Sequence, residues 1–202
     1  MIDARLSAQV AFIREIDKLK SVLRMNTLAD GSRRENTAEH SWHMTLMLFV
    51  LQEYGTPPGN TTPVDMARAL TMGLLHDIVE IDAGDTYCYD TAAHADKEHR
   101  EQTAATRLFG LLPDDQRERT RGLWDEFEAG ITPEARLARA VDRLNPFLLN
   151  YFADGESWRA NGIARSQVEQ RMAEVRENCP ALWPLVCRLI DDAVAKGWLA
   201  KS

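Results

Sequence analysis

Residues 69–80 read Ala-Leu-Thr-Met-Gly-Leu-Leu-His-Asp-Ile-Val-Glu, an apolar helical run broken by an imidazole and a carboxylate side by side, His76 and Asp77. A run this apolar belongs in a core, and a buried His–Asp pair is costly unless it is paired or bound to a cation. The fold must therefore bring partners to this pair from elsewhere. Two further ligand candidates are His40, in Ala-Glu-His-Ser-Trp-His, and Asp142, in Arg-Ala-Val-Asp-Arg-Leu. All three segments read as helix. Together they predict a helical protein in which two His and two Asp converge on one divalent metal.

Helical periodicity dominates the chain. Val10, Ile13, Ile16, Leu19 and Leu23 recur at three- and four-residue steps, which predicts a helix over 4–24. Asn36 or Thr37 can cap a second helix, with Glu39 at the capping-box position; it runs to about residue 54 and ends at Gly55. Residues 55–63 read as a loop, and Pro63 opens a third helix reaching about residue 80. Gly84 breaks the pattern before a polar loop over 84–93. Further helices are expected at about 94–111, 114–129, 133–153, 165–177 and 181–196, with 154–162 a loop. No alternating strand pattern rivals these. The expectation is an all-α fold, a single bundle of about seven or eight helices spanning 1–202.

The charge balance, 24 basic against 31 acidic residues, gives a net charge of −7 and argues against a nucleic-acid polymer as partner. It leaves room for a small anion held by a few local Arg or Lys. Cys88, Cys179 and Cys187 form no CxxC pair, so neither a disulfide framework nor a thiolate zinc site is indicated. A charged start, the absence of a long apolar run and this cysteine usage read as a soluble protein of a reducing cytoplasm, with no membrane partner.

Imidazole and carboxylate suit a divalent ion of intermediate softness (Mn, Co, Zn, Fe, Ni or Mg). Two neutral His and two Asp cancel its charge and leave open positions for water and a substrate oxygen. Such an ion acidifies its water and polarises a phosphoryl group. Neighbouring helical residues lie about 100° apart, so His76 and Asp77 can both reach an ion on the helix flank. Glu80 falls on the same face, and Gly84 lets the chain turn Asp85 back toward it. Two additional carboxylates beside a metal site are what proton transfer requires. A lone His-Asp dipeptide is more often a surface pair, and Asp142 alone could simply pair with Arg139 or Arg143. The combination carries the reading.

The order His40, His76-Asp77, Asp142 resembles the HD-domain metal-dependent phosphohydrolases, and within them the branch of 5′-deoxynucleotidases. The likeness covers about residues 15–150, and Glu-Asn-Thr-Ala-Glu-His-Ser (35–41), His-Asp-x-x-Glu-x-x-x-x-Asp (76–85) and Ala-Val-Asp-Arg-Leu (140–144) carry it. It implies metal ligands at His40, His76, Asp77 and Asp142, and catalytic carboxylates at Glu80 and Asp85. It also implies a phosphate-contacting Arg24 late in the first helix, phosphate release from nucleoside 5′-monophosphates, and a homodimer. Met25 stands where that branch has a Trp, so deoxyribose preference is not implied. Arg33 and then Lys97 are further candidates for neutralising phosphate, although most Arg and Lys are solvated.

Competing readings are a phosphodiesterase or pyrophosphohydrolase acting on a cyclic or alarmone nucleotide, and a nucleotide-sensing module that keeps the fold without turnover. His43 is read as a pocket-edge or core residue. His94 and His99 are placed on a charged helix face. Tyr87, Cys88 and Tyr89 follow Asp85 and could line the pocket.

Overall fold

The computed structural model describes residues 3–55, 63–89 and 95–201. The loop predicted over 55–63 and His94 fall largely or wholly outside them. The described residues are predominantly helical, with one two-stranded antiparallel sheet.

Helix α7 (Pro133–Phe152) is the central element. Thr132 caps it by accepting from the Ala135 amide, and Pro133 sits in the first turn, where its missing N–H costs nothing. Its apolar stripe buries Leu137, Val141, Leu144 and Phe147, so α2 (Thr37–Leu51), α3 (Met66–Leu75), α6 (Asp114–Ala129) and α10 (Ala173–Asn178) all pack against it. Trp158, from the short helix α8 (Glu156–Ala160), and Ile190, from α11 (Trp183–Ala195), close this core. A second apolar cluster joins Leu19, Ile78, Val79 and Trp124 to Leu108 and Phe109 of α5 (Lys97–Phe109). Met72 belongs to the first cluster and Ile78 to the second, so the segment carrying His76-Asp77 is anchored on both sides.

The helix predicted over 4–24 is shorter. Helix α1 ends at Ile16 (Ala4–Ile16), a 3₁₀ turn spans Asp17–Ser21, and Leu23–Thr27 form strand β1. It pairs with β2 (Arg34–Asn36), joining Leu23 to Asn36 and Thr27 to Arg34. Leu23, which extended the apparent periodicity, is half exposed. The hairpin turns at Asp30-Gly31, where the Asp30 carboxylate accepts from the Ser32 amide at 3.0 Å and Gly31 takes φ +69°. Arg24 therefore lies on a strand and not late in a helix. The Asn26 side chain fastens the hairpin to α7 by donating to the Pro146 carbonyl at 3.1 Å.

The helix predicted over 63–80 also divides. After α3 the backbone tightens to three-residue hydrogen bonds (Ile78 to Leu75, Glu80 to Asp77, Ile81 to Ile78) before α4 (Glu80–Ala83). His76 and Asp77 thus sit in a tight turn between two helices. The segment at 165–177 breaks into α9 (Arg165–Arg171) and α10, and 156–160 is helical where a loop was expected. Among the described residues no helix is long and apolar enough to cross a membrane.

Gly73 permits the close approach of α2 and α3. A Cβ there would stand 2.8 Å from Thr45 Oγ1 and 3.0 Å from Leu48 Cδ1. Gly73→Ala is expected to lose about 1–2 kcal/mol, because overpacking outweighs the gain in helix propensity. Urea denaturation of the variant checks this, and unchanged stability would contradict the packing argument.

Candidate metal centre and its surroundings

His40 comes from the first turn of α2, which is fixed by a reciprocal capping box. Asn36 Oδ1 accepts from the Glu39 amide at 3.0 Å, and the Glu39 carboxylate accepts from the Asn36 amide at 3.1 Å. Asn36, rather than Thr37, is the cap. Asp142 comes from the middle of α7, and Pro146 removes the N–H that would otherwise bond the Asp142 carbonyl. His76 is held from two sides. Its Nδ1–H donates to the Gly73 carbonyl at 2.9 Å, and its own carbonyl accepts from Trp124 Nε1 at 3.0 Å.

These elements bring the predicted ligands together. His40, His76 and Asp142 are buried, and each offers one ligand atom, all within 4.8 Å of one another. The His40 and His76 rings lie 5.5 Å apart. Asp142 Oδ1 is 3.0 Å from His40 Nε2 and 3.5 Å from His76 Nε2. Asp77 Oδ2 is 3.6 Å and 3.1 Å from the same two nitrogens. It also accepts from Arg24 Nη1 at 2.8 Å.

The proton inventory decides what this cluster can hold. His76 Nδ1 spends its proton on Gly73, and Nε2 is a buried atom with no aligned hydrogen-bond partner, despite two carboxylate oxygens close by. His40 Nδ1 faces Asn145 Oδ1 at 3.2 Å, an acceptor, so the neutral ring turns its Nε2 lone pair toward Asp142. A ring nitrogen lone pair facing a carboxylate oxygen is repelled unless a cation, a proton or a metal ion, lies between them. The donor set, two imidazole nitrogens and carboxylate oxygens oriented by outer hydrogen bonds, fits a divalent metal.

The electrostatics follow from burial and close charges. Burial, then the positive charge of Arg24, lower the His40 pKa and keep the ring neutral. Burial also disfavours a charged His76, but Asp77 and Asp142 outweigh it and raise its pKa well above the ordinary value. Against burial, Arg143 and the two imidazoles hold Asp142 well below the usual carboxylate range. This protein–proton balance is one that a bound cation would replace.

The remaining predicted residues separate into two groups. Glu80 is buried and accepts from Thr37 Oγ1 at 2.8 Å; burial, then the Asp77 charge, raise its pKa well above the ordinary value. Asp85 is raised in the same way, by burial against the pull of Arg24. The positive φ of Gly84, +74°, ends α4 and returns Asp85 to 3.6 Å from Arg24 Nη1, which is 3.8 Å from Glu80. Arg24 thus faces Asp77, Glu80 and Asp85 together. Arg33 and Lys97 are not brought into this cluster. Arg33 forms an exposed two-point pair with Glu39, and Lys97 pairs with Glu101 at 3.1 Å. His43 stacks on Trp42, and His99 is exposed.

Several residues of this site carried no assigned role in the sequence. Glu35 is fully buried, 3.8 Å from both Arg24 Nε and His40 Nδ1, and burial pushes its pKa up to about 7. Thr37 positions Glu80, Asn145 orients His40, and Trp124 holds the turn at His76. Asn145 was discoverable, because it lies three residues after Asp142 on one helix face. Glu35 was not, since its burial depends on the hairpin.

With this geometry in hand, the chain can be set beside known proteins. The family model described as HD domain matches residues 16–183. A predicted metal-dependent phosphohydrolase from Magnetospirillum magnetotacticum MS-1 superposes with a TM-score of 0.91 at 47% identity, covering 99% of this chain and 100% of that one. The 5′-deoxynucleotidase HDDC2 of Danio rerio is 29% identical over 134 residues, 66% of this chain and 63% of that protein. Its Homo sapiens counterpart is 27% identical over 138 residues, 68% and 64% respectively. The chain therefore spans less than two thirds of the length of these two relatives. The PH0347 protein of Pyrococcus horikoshii OT3, at 23% identity and a TM-score of 0.65, shares the fold. Matched over most of its length by the family model, and carrying the paired His and Asp side chains at one buried point, this chain belongs to the HD domain family.

Proposed function

We propose that this protein is a metal-dependent phosphomonoesterase that releases phosphate from nucleoside 5′-monophosphates. The observation that carries the reading is the pair of buried imidazole Nε2 atoms directed at Asp oxygens while their outer nitrogens are committed to Gly73 and Asn145. His40, His76, Asp77 and Asp142 would hold a divalent ion, which supplies Lewis-acid polarisation of the phosphoryl group and an acidified water. The names of the HDDC2 relatives support the nucleotide class.

The chain's own residues supply the rest. Arg24, fixed by Asp77, presents a guanidinium to a phosphate oxygen and offsets charge as the ester bond breaks. Glu80, whose burial favours the protonated form, donates to the departing sugar oxygen, a poor leaving group as an alkoxide. Asp85 orients the attacking water and accepts its proton. Thr37 and Glu35 position Glu80 and Arg24 respectively. The same reading includes a homodimer in a reducing cytoplasm. Its support is an exposed apolar stripe on α2 (Trp42, Leu46, Phe49 and Val50) and three unpaired cysteines.

Metal analysis of the purified protein and phosphate release from a panel of nucleoside monophosphates test the proposal. Chelation is expected to abolish release. It should also remove about 2.7 kcal/mol of stability if the ion had been present at a hundredfold excess over its Kd. Re-addition of metal should restore both. No release from any monophosphate, across the divalent ions named above, would sink the reading.

A further inference from the structure

A cavity of about 360 Å³ opens beside the metal cluster, lined by Cys88, Tyr89, Arg143, Gln167, Arg171 and Glu174, with Gln170 at its edge. Its wall is continuous with the ligand set, because Arg143 Nη1 donates to Asp142 Oδ2 and Cys88 follows Asp85 by three residues. The cavity is positively charged in a chain whose net charge is −7. Glu174 is already shared between Arg139, at 2.8 Å, and Arg143, at 3.5 Å. Among the described residues no carboxylate is in ion-pair contact with Arg171, which is half-buried.

Such a guanidinium is costly. Burial and the like charge of Arg143 both hold the Arg171 pKa below its ordinary value, yet the group stays charged. An anion in the cavity would offset both penalties. Gln167 points the same way. Its Oε1 accepts from the Ala164 amide at 2.9 Å, which leaves its side-chain N–H groups as donors. A nucleobase could pair with the two Gln amides, but it would leave the Arg171 guanidinium without a counter-charge, since Arg143 already pairs with Asp142 and Glu174.

We infer that this cavity is a second anion subsite, which takes a phosphate group of the substrate other than the one hydrolysed. The inference rests on the phosphate-ester reading of the adjacent cluster. It narrows the substrate class to nucleotides with two separated phosphates, of the 3′,5′-bisphosphate type. Arg143 and Arg171 clamp the distal phosphate while Arg24 meets the scissile one.

The test compares nucleoside 5′-monophosphates with the matching 3′,5′-bisphosphates in wild type, Arg171→Gln, Arg171→Lys and Gln170→Glu. Inorganic phosphate binding is measured by calorimetry in the same proteins and in Asp77→Ala. Wild-type kcat/KM is expected to be about tenfold or more higher for the bisphosphate, the scale of hydrogen bonds to a charged group. Arg171→Gln should erase that advantage and Arg171→Lys recover part of it. Gln170→Glu, an exposed change that the fold tolerates, should weaken it through a like charge. Phosphate should titrate two sites, one lost in Asp77→Ala and the other in Arg171→Gln.

Equal kcat/KM for the two substrates, or a single phosphate site indifferent to Arg171, would overturn the subsite even if monophosphates are cleaved. An Arg171-dependent phosphate site in a protein that cleaves no ester would uphold the subsite and overturn the proposed activity. The two ideas therefore fail separately.

Discussion

Asp77→Ala is expected to strip the metal and reduce phosphate release by about a thousandfold or more, several kcal/mol of lost transition-state stabilisation. Asp77 Oδ2 approaches both imidazole Nε2 atoms, at 3.1 and 3.6 Å, and it is also the nearest partner of Arg24. The variant thus loses a ligand and the fixed guanidinium together. Its fold should survive, since Ile78 and Val79 still anchor the turn in the second apolar cluster and Trp124 still bonds the His76 carbonyl. Metal content by plasma mass spectrometry, circular dichroism and phosphate release measured on one preparation check this. A variant that keeps both metal and turnover would remove Asp77 from the ligand set.

Glu80→Gln should give the opposite pattern, with metal retained and turnover lowered by about 10²–10⁴, the range of a positioned general acid or base. The substitution keeps shape, and the Gln oxygen can still accept from Thr37 Oγ1, which bonds Glu80 at 2.8 Å. What it removes is the proton that burial favours on the carboxyl. The fall should appear in kcat with little change in KM, because Arg24 and the metal ligands still bind phosphate. Full turnover in Glu80→Gln would transfer the proton role to Asp85. A parallel loss of metal would instead make Glu80 part of the ligand cage.

The contrast between these variants explains why His76-Asp77 was so readable. An imidazole and a carboxylate in an apolar run violate the local rule for a core helix, and such violations gather where function imposes them. Helices α2 and α7 were also legible, because Asn36 and Thr132 cap their first turns and apolar periodicity runs along their faces. The hairpin was not, although Asp30-Gly31 is a recognised turn signal. The apolar spacing through Ile16, Leu19 and Leu23 continues a helical pattern across what is in fact a helix, a 3₁₀ turn and a strand. Periodicity cannot separate these, because Leu23 keeps the apolar spacing although it is half exposed on a strand. The break after α3 was hidden for a related reason, since a helix tightened to three-residue hydrogen bonds keeps nearly the same apolar face.

By itself the sequence determined the residue types of the candidate metal set, their order along the chain and the helices that carry His40 and Asp142, because burial makes unpaired polar groups expensive wherever they fall. Only the tertiary structure decided their protonation and their neighbours. Gly73 and Asn145 commit the outer imidazole nitrogens, the hairpin swings Arg24 and Glu35 into the cluster, and α9 sets Arg171 beside Arg143. Arg33 and Lys97 carry the same charge as Arg24 but stand in ion pairs outside the cluster. The difference is one of packing: a guanidinium becomes part of a site when the fold removes its water and surrounds it with fixed carboxylates, and no local pattern encodes that.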